Sequence, residues 1–166
     1  MSAAAADVRL TLPARAEGVA VVRQALAGLA DALDFDAAVL ADMKMAVSEA
    51  CTNVVVHAYG ERDGELEVEM AVDETALMIV VRDQGRGIDR DAPRSDDVPA
   101  LGLGLPLIAA LSDAFELRGE RGQGTEVRMT FHYSRDGDPA EERPVKGGVG
   151  KDGRWDPDAA RGTTAT

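Results

Sequence analysis

The feature that most constrains this chain is a helical stretch from about Asp36 to Tyr59 that separates two kinds of side chain. At about 100° per residue, Glu49 and Asn53 fall together on one side of such a helix. A different side, roughly 100° wide, is apolar. The residues that share it are Val47, Ala50, Cys51, Val54 and Ala58. The helix is therefore expected to bury one face in a core and to present a carboxylate beside an amide on another.

Hydrophobic periodicity elsewhere in residues 1–133 alternates between helical and strand spacing, which predicts a single α+β domain. Two adjacent strands joined by Asp73-Glu74-Thr75 should form an antiparallel hairpin. Turn-forming residues are dense from Asp83 to Gly104, which indicates a long loop that is either functional or disordered and that resembles a mobile lid. The predicted order is β-α-α-β-β-lid-α-β-β. Besides the stretch above, the predicted elements are Val8–Leu12, Arg15–Leu33, Glu65–Val72, Ala76–Arg82, Leu105–Leu111, Phe115–Arg118 and Thr125–Phe131.

Three glycine-rich turns could carry chemistry. Asp83-Gln84-Gly85-Arg86-Gly87 follows an apolar strand, where glycines let the backbone approach a flat ligand and Asp83 can accept a hydrogen bond from an exocyclic amine. Gly102-Leu103-Gly104-Leu105-Pro106 precedes a helix whose first amides can bind phosphate oxygens. Gly122-Gln123-Gly124-Thr125 opens the last strand. Taken singly, each motif also has an ordinary structural interpretation, as does a lone Glu-x-x-x-Asn on a solvated helix face.

Composition narrows the classes of partner and compartment. A net charge of −12 argues against nucleic acid as the main partner, because such binding draws on clustered Lys and Arg, and it suits a basic partner protein. A single cysteine excludes an intrachain disulfide and a two-cysteine metal site. The N-terminus does not resemble a signal peptide, and no apolar stretch reaches the length of a membrane span. We therefore expect a soluble, cytoplasmic protein.

Several phosphate-binding schemes are excluded by the sequence. The chain has only three lysines, two of them after residue 134, and no Gly-x-x-x-x-Gly-Lys loop. It also has no His-Arg-Asp or Asp-Phe-Gly motif, so P-loop and eukaryotic protein kinase mechanisms are not supported. Residues 134–166 are rich in Gly, Pro and charge without periodicity, which predicts a disordered tail.

The four motifs together, in this order, resemble the boxes of the GHKL ATPase superfamily. Val47–Tyr59 is most similar to the anti-sigma factor serine kinases of bacteria, and the resemblance covers Val8 to Tyr133. It implies a two-layer α/β sandwich of the Bergerat type, with a mixed, mostly antiparallel sheet and helices on one face. Residues 1–133 would then form an ATP-binding kinase domain.

The resemblance also implies a role for each matching residue. Asn53 would supply its amide oxygen to Mg²⁺, and Glu49 would act as general base toward a substrate serine. Asp83 would bind the adenine amino group of ATP, with support from Thr125. Glycines of the second box would keep the base pocket open, and the third box would meet the phosphates. The glycines of the second box are Gly85 and Gly87. The residues of the third box are Gly102, Leu103, Gly104 and Leu105.

The implied function is an ATP-dependent serine kinase that sequesters a sigma factor and phosphorylates an anti-anti-sigma protein of the STAS type. Homodimerisation is expected from the resemblance as well. Two alternatives stay open: an ATP-binding anti-sigma module without phosphotransfer, and a histidine kinase-like domain that acts in trans. Glu49 favours the kinase, because a binding module needs no base.

Other residues near these motifs are weaker candidates for the functional site. His57 could touch the phosphates, although a histidine at a helix end more often has a structural role. Four arginines around the predicted lid could neutralise phosphate charge, but arginines in a loop are usually solvated. Met43, Met45 and Met70 suit core packing, as does Cys51. The four arginines are Arg82, Arg86, Arg90 and Arg94.

Overall fold

Residues 7–88, 104–133, 148–149 and 155–156 are described by the structure, which is a computed structural model. Up to residue 133, the elements follow the predicted order, and each bound lies close to its predicted position. In chain order they are β1 (Val8–Pro13), α1 (Ala16–Ala32), α2 (Ala37–Asn53), a π-helical turn (Val54–Ala58), β2 (Glu65–Val72), β3 (Ala76–Asp83), α3 (Gly104–Leu111), β4 (Ala114–Gly119), β5 (Thr125–His132), β6 (Gly148–Val149) and β7 (Trp155–Asp156).

One five-stranded sheet organises the fold, with the strand order β1-β2-β3-β5-β4. All four pairings in it are antiparallel. The predicted α+β fold and the β2–β3 hairpin are confirmed. Among the described strands the sheet is antiparallel throughout, which is close to the mixed, mostly antiparallel sheet that was expected. Because β3 lies at its centre, the end of β3 carries Asp83 to the edge of the core, opposite Thr125 of β5.

The core lies between one face of the sheet and the three helices. Alternate residues of β2, β3 and β5 are buried, as expected for strands with one face covered. The apolar arc predicted for α2 is buried in full, and Cys51, Met43 and Met70 are inaccessible to solvent. Met45 is 51% exposed, so its predicted core position was wrong. Residues from the sheet that join this core are Leu66, Val68, Met70, Leu77, Ile79, Val81, Val127, Met129 and Phe131.

The second helix begins and ends with distinct local geometry. The Asp36 side chain accepts a hydrogen bond from the Ala38 N–H at 2.7 Å, which caps α2. Asp34 adopts a positive φ of 53° in the turn before it. The sequence predicts one helix to Tyr59, but after Asn53 the helix widens into the π-helical turn. Such turns cost stability in isolation and often occur at functional sites.

The other face of the sheet carries charged side chains. The Arg82 guanidinium contacts Glu69 at 2.8 Å and Glu126 at 2.7 Å, and Arg9 also contacts Glu69 at 2.8 Å. The hydrogen bond from Arg82 lowers the pKa of Glu69. Arg82 therefore lies on the sheet face away from the helices, where two carboxylates already pair with its guanidinium.

Two short strands, β6 and β7, pair within the segment for which a disordered tail was predicted. Each has two residues, which is too short for a periodic pattern to reveal it in the sequence. The rest of that segment lies outside the described residues. Across the described part of the chain, no helix is both long and apolar enough to span a membrane.

Candidate functional site

The end of α2 and the start of α3 meet at Glu49 and Asn53, the predicted base and the predicted Mg²⁺ ligand. A β-carbon on Gly104 would lie 3.2 Å from Glu49 Oε2 and 3.2 Å from Asn53 Nδ2. These distances are tighter than ordinary van der Waals contact, so a glycine allows the first turn of α3 to come this close. The structure thus brings Glu49, Asn53 and Gly104 together, as their motif order suggested.

Asn53 is the last residue of α2 before the π-helical turn. Its Nδ2 atom is buried and has no hydrogen-bond partner among the described residues. Buried polar atoms in folded proteins nearly always have a partner. The amide can present either its oxygen or its nitrogen by rotation, so it suits an oxygen-rich ligand such as a hydrated cation or a phosphate group.

Asp83 lies at the end of β3 and is 8% exposed. The Gly85 N–H donates a hydrogen bond of 2.8 Å to its Oδ1 atom, and Thr125 also hydrogen-bonds to it. Burial raises the pKa of Asp83 above 3.8, and these hydrogen bonds oppose the rise. A buried carboxylate at the end of a strand, with its orientation fixed by its neighbours, is a strong acceptor for an amine.

Glycines let the turn after Asp83 pack against two neighbouring elements. At Gly85, a β-carbon would overlap the backbone carbonyl of Ala58 in the π-helical turn. At Gly124, which has φ +79°, it would overlap the backbone carbonyl of Asp83. Gly87 has φ +67°, a region that side-chain-bearing residues rarely adopt. The turn is therefore held between the end of the α2 segment and the β4–β5 hairpin.

A cavity of about 870 Å³ lies between these elements. Ligand sites for small molecules and cofactors typically have volumes of ~300–1,000 Å³, so a nucleotide is a suitable occupant. Glu49 does not line this cavity but lies beside Asn53, which does. Predicted site residues that line it are Asn53, Asp83, Gly85, Gly87, Leu105 and Thr125.

Comparisons with known proteins show the family to which the chain belongs. The model of the histidine kinase-like ATPase domain family matches residues 12–131. Serine-protein kinases RsbW from Bacillus cereus strain AH820 and from Bacillus anthracis are each 36% identical over 149 residues, covering 83% of this chain and 92% of theirs. The chain belongs to the RsbW group of the histidine kinase-like ATPase family. The resemblance to the GHKL superfamily and its anti-sigma serine kinases is confirmed, as is the ATP-dependent serine kinase class.

A solved structure supports the same assignment. The crystal structure of the RsbU and RsbW domains of Rv1364c from Mycobacterium tuberculosis superposes with a TM-score of 0.61 at 25% identity. The match covers 77% of this chain and 32% of that one, so this chain spans about a third of the solved protein. The Bergerat-type fold is thereby shown.

Sequence reasoning missed two arginines in this RsbW-like chain. Arg62, Arg86 and Arg121 all line the cavity, and they come from three separate loops. Of these only Arg86 was named from the sequence, because no local motif links positions 62 and 121 to the site. His57 also lines the cavity. Three guanidinium groups and a histidine at this cavity are well suited to an anionic ligand in an otherwise acidic chain.

The predicted phosphate region lies only partly within the described residues. Gly102 and Leu103 lie outside the described residues, as do Arg90, Arg94 and most of the predicted lid. Gly104 is buried against α2, and Leu105 lines the cavity. The first turn of α3 therefore faces the site.

The raised pKa of Asp83 leads to a prediction about Asp83→Asn. A carboxyl group whose pKa is higher in the folded than in the unfolded protein lowers the free energy of unfolding as pH rises through the range between the two pKa values. The protein remains destabilised at neutral pH, where the group is ionised. The variant should therefore melt at or above the wild-type temperature at pH 7.5, and this advantage should shrink as pH falls toward 4. Its ATP affinity should fall about 10-fold or more, the cost of misplacing one buried hydrogen-bonding group.

Thermal melts at the two pH values and nucleotide titrations at pH 7.5 check this prediction. A melting temperature for Asp83→Asn well below wild type at neutral pH, with a smaller deficit at acidic pH, would show that the sign is wrong. Unchanged ATP affinity would show that Asp83 does not contact the adenine ring of ATP.

Proposed function

We propose that this chain transfers the γ-phosphoryl group of ATP to a serine of an anti-anti-sigma STAS protein and, in the alternative state, sequesters a sigma factor. The observation that carries the proposal is the position of the Glu49 carboxylate, next to Asn53 and the first turn of α3, beside a cavity of nucleotide size. The RsbW serine-protein kinases that share 36% identity with the chain support the same chemistry.

The adenine half of the site is formed by the end of β3, the start of β5 and the Asp83–Gly87 turn, which packs against the π-helical turn. In the proposal, Asp83 accepts a hydrogen bond from the adenine amino group, while Thr125 holds the carboxylate in place. Gly85 and Gly87 allow the backbone to lie flat beside the base. The carboxylate has a fixed orientation and is largely buried, so it discriminates adenine from a base that lacks the amino group.

The phosphate half is formed by α2 and α3. The first turn of α3 and the residues before it, Gly102 to Leu105, would donate backbone N–H groups to phosphate oxygens. Asn53 would hold Mg²⁺, which neutralises charge on the phosphates when bound. Arg62, Arg86 and Arg121 around the cavity would add positive charge near the nucleotide.

Glu49 would act as the general base. Its carboxylate would accept the proton of the substrate serine hydroxyl as that oxygen attacks the γ-phosphorus and the bond to the β-phosphate oxygen breaks. Phosphoryl transfer depends mainly on positioning and charge neutralisation. A carboxylate held beside Asn53 and Gly104 would satisfy the positioning requirement once a serine enters from the solvent side, since Glu49 is half-buried.

The proposed partners are proteins. We propose a sigma factor and a STAS protein, with a cytoplasmic location, and a homodimer as the assembly. The formal charge of −12 supports a basic partner surface rather than nucleic acid.

Incubation of the purified chain with γ-labelled ATP, Mg²⁺ and the STAS protein encoded nearest to its gene tests the proposal. Label should appear on the STAS protein, and it should not appear when Mg²⁺ is chelated. If ATP binds but no label is transferred to this or any other STAS protein tested, phosphotransfer is refuted and the alternative of an ATP-binding anti-sigma module is favoured. If ATP does not bind at all, the nucleotide site itself is refuted.

A further inference from the structure

Tyr59, the residue directly after the π-helical turn, contacts the Asp83–Gly87 turn through Gln84 without lining the cavity. Its hydroxyl donates a hydrogen bond of 2.7 Å to the Glu65 carbonyl and accepts one of 2.9 Å from the Gln84 N–H. The hydroxyl thus ties the start of β2 to the residue that follows Asp83. Its ring lies over Gly64, where any β-carbon would overlap the ring atoms.

A second hydrogen bond from the same segment holds the same turn. The Arg86 N–H donates to the Ala58 carbonyl at 2.9 Å. Ala58 and Tyr59 are consecutive, and they bind the amides on either side of Gly85. The π-helical turn begins directly after Asn53 and ends at Ala58. One short segment therefore connects the Asn53 side chain to the Asp83–Gly87 turn.

The consequences of losing the Tyr59 hydroxyl differ for folding and for binding. Gln84 is exposed, so water can replace the hydroxyl as acceptor for its N–H, and the cost to folding is small. Water cannot fix the position of the turn, however. Part of the binding free energy of a ligand is then used to order the turn, which weakens the affinity without changing the rate of phosphoryl transfer.

We propose that Tyr59 is a positioning residue for the nucleotide: its hydroxyl holds the Asp83–Gly87 turn in its binding geometry and thereby sets the affinity for the adenine moiety. This inference rests on the nucleotide site of the proposed function. Because the turn serves the adenine side, the effect of Tyr59 is the same for ATP and ADP and does not involve phosphoryl transfer.

Tyr133 provides a matched control. Its hydroxyl also donates to a backbone carbonyl, that of Asp73, at 2.6 Å. Tyr133 packs edge-on against Phe35, with ring centroids 4.4 Å apart, and follows β5 at the end of the sheet opposite to Asp83. Tyr59→Phe and Tyr133→Phe therefore remove the same chemical group, one beside the site and one far from it.

The experiment compares both variants with wild type in the full-length chain. For Tyr59→Phe, the Kd values of ATP and ADP and the KM for ATP should all rise roughly 3- to 10-fold, the equivalent of about one net hydrogen bond. The kcat at saturating ATP should stay at the wild-type value. Tyr133→Phe should leave Kd and KM unchanged even if its melting temperature falls further.

Amide hydrogen exchange gives an independent readout. Exchange at Gln84 should accelerate in ligand-free Tyr59→Phe, and ATP should slow it again, whereas Tyr133→Phe should not affect it. An unchanged ATP affinity in a folded Tyr59→Phe protein, or an equal loss in Tyr133→Phe, would overturn the inference while leaving the proposed function intact. Failure of the wild-type chain to bind ATP would overturn both.

Discussion

Glu49→Gln is expected to reduce phosphotransfer to the STAS protein by about 10²- to 10⁴-fold, the usual contribution of a positioned general base. Glutamine has nearly the same shape as glutamate, so the side chain should keep its position near Gly104 and Asn53. It cannot accept the serine proton. ATP affinity and melting temperature should therefore stay close to wild type, and single-turnover transfer assays together with ATP titrations measure the difference.

A charge-matched control separates the loss of the base from the loss of one negative charge. Glu116→Gln on β4 changes the net charge by the same amount, at an exposed position paired with Arg118 at 2.8 Å. It should transfer phosphate at the wild-type rate. If Glu49→Gln also transfers at that rate, Glu49 is not the base. A large drop in its melting temperature would instead mark Glu49 as a structural residue.

Gly85→Ala should weaken ATP binding by more than ~10-fold and destabilise the fold by about 1–3 kcal/mol, the usual cost of inserting a methyl group where there is no space. The new β-carbon would lie 2.6 Å from the Ala58 carbonyl carbon and 2.8 Å from the Ala58 Cβ. Since the opposing atoms are largely backbone, they cannot rotate away. The turn must move, and both the Arg86 hydrogen bond to Ala58 and the position of Asp83 change with it.

Gly28→Ala is the control for this substitution. Gly28 lies within α1, and a β-carbon there would meet no heavy atom within 4 Å. Alanine is favoured over glycine inside a helix by about 0.8–1.0 kcal/mol, so this variant should be slightly more stable, with unchanged ATP affinity. Urea denaturation and ATP titration of both variants give the comparison. Wild-type affinity in Gly85→Ala would contradict the tight packing of the turn against Ala58.

The sequence predicts those parts of the fold that depend on local periodicity. The apolar arc from Val47 to Ala58 is buried because helical spacing fixes which side chains share a face. The bounds of β2 agree with prediction because alternating apolar residues and turn residues mark them. The order and spacing of the motifs also indicated that Glu49, Asn53 and Asp83 would lie in one region of the fold.

Features set by tertiary contacts were not predicted. The π-helical turn from Val54 to Ala58 has no marker in its own residues, and its last carbonyl is bound by Arg86, which is distant in sequence. Arg62 and Arg121 reach the cavity from loops whose paths depend on the sheet. Met45 is exposed because its position on α2 faces away from the sheet, where hydrophobicity alone is a poor guide.

The chemical form of the transferred phosphate tests the central claim most directly. Wild type, γ-labelled ATP, Mg²⁺ and the STAS partner should yield one label per partner molecule, stable to acid and labile to alkali, as phosphoserine is. Peptide mass spectrometry should place the label on a serine, and Glu49→Gln should slow labelling by at least about 10²-fold without loss of ATP binding. An acid-labile phosphohistidine, or ATP binding by wild type with no transfer to any serine, would contradict the account.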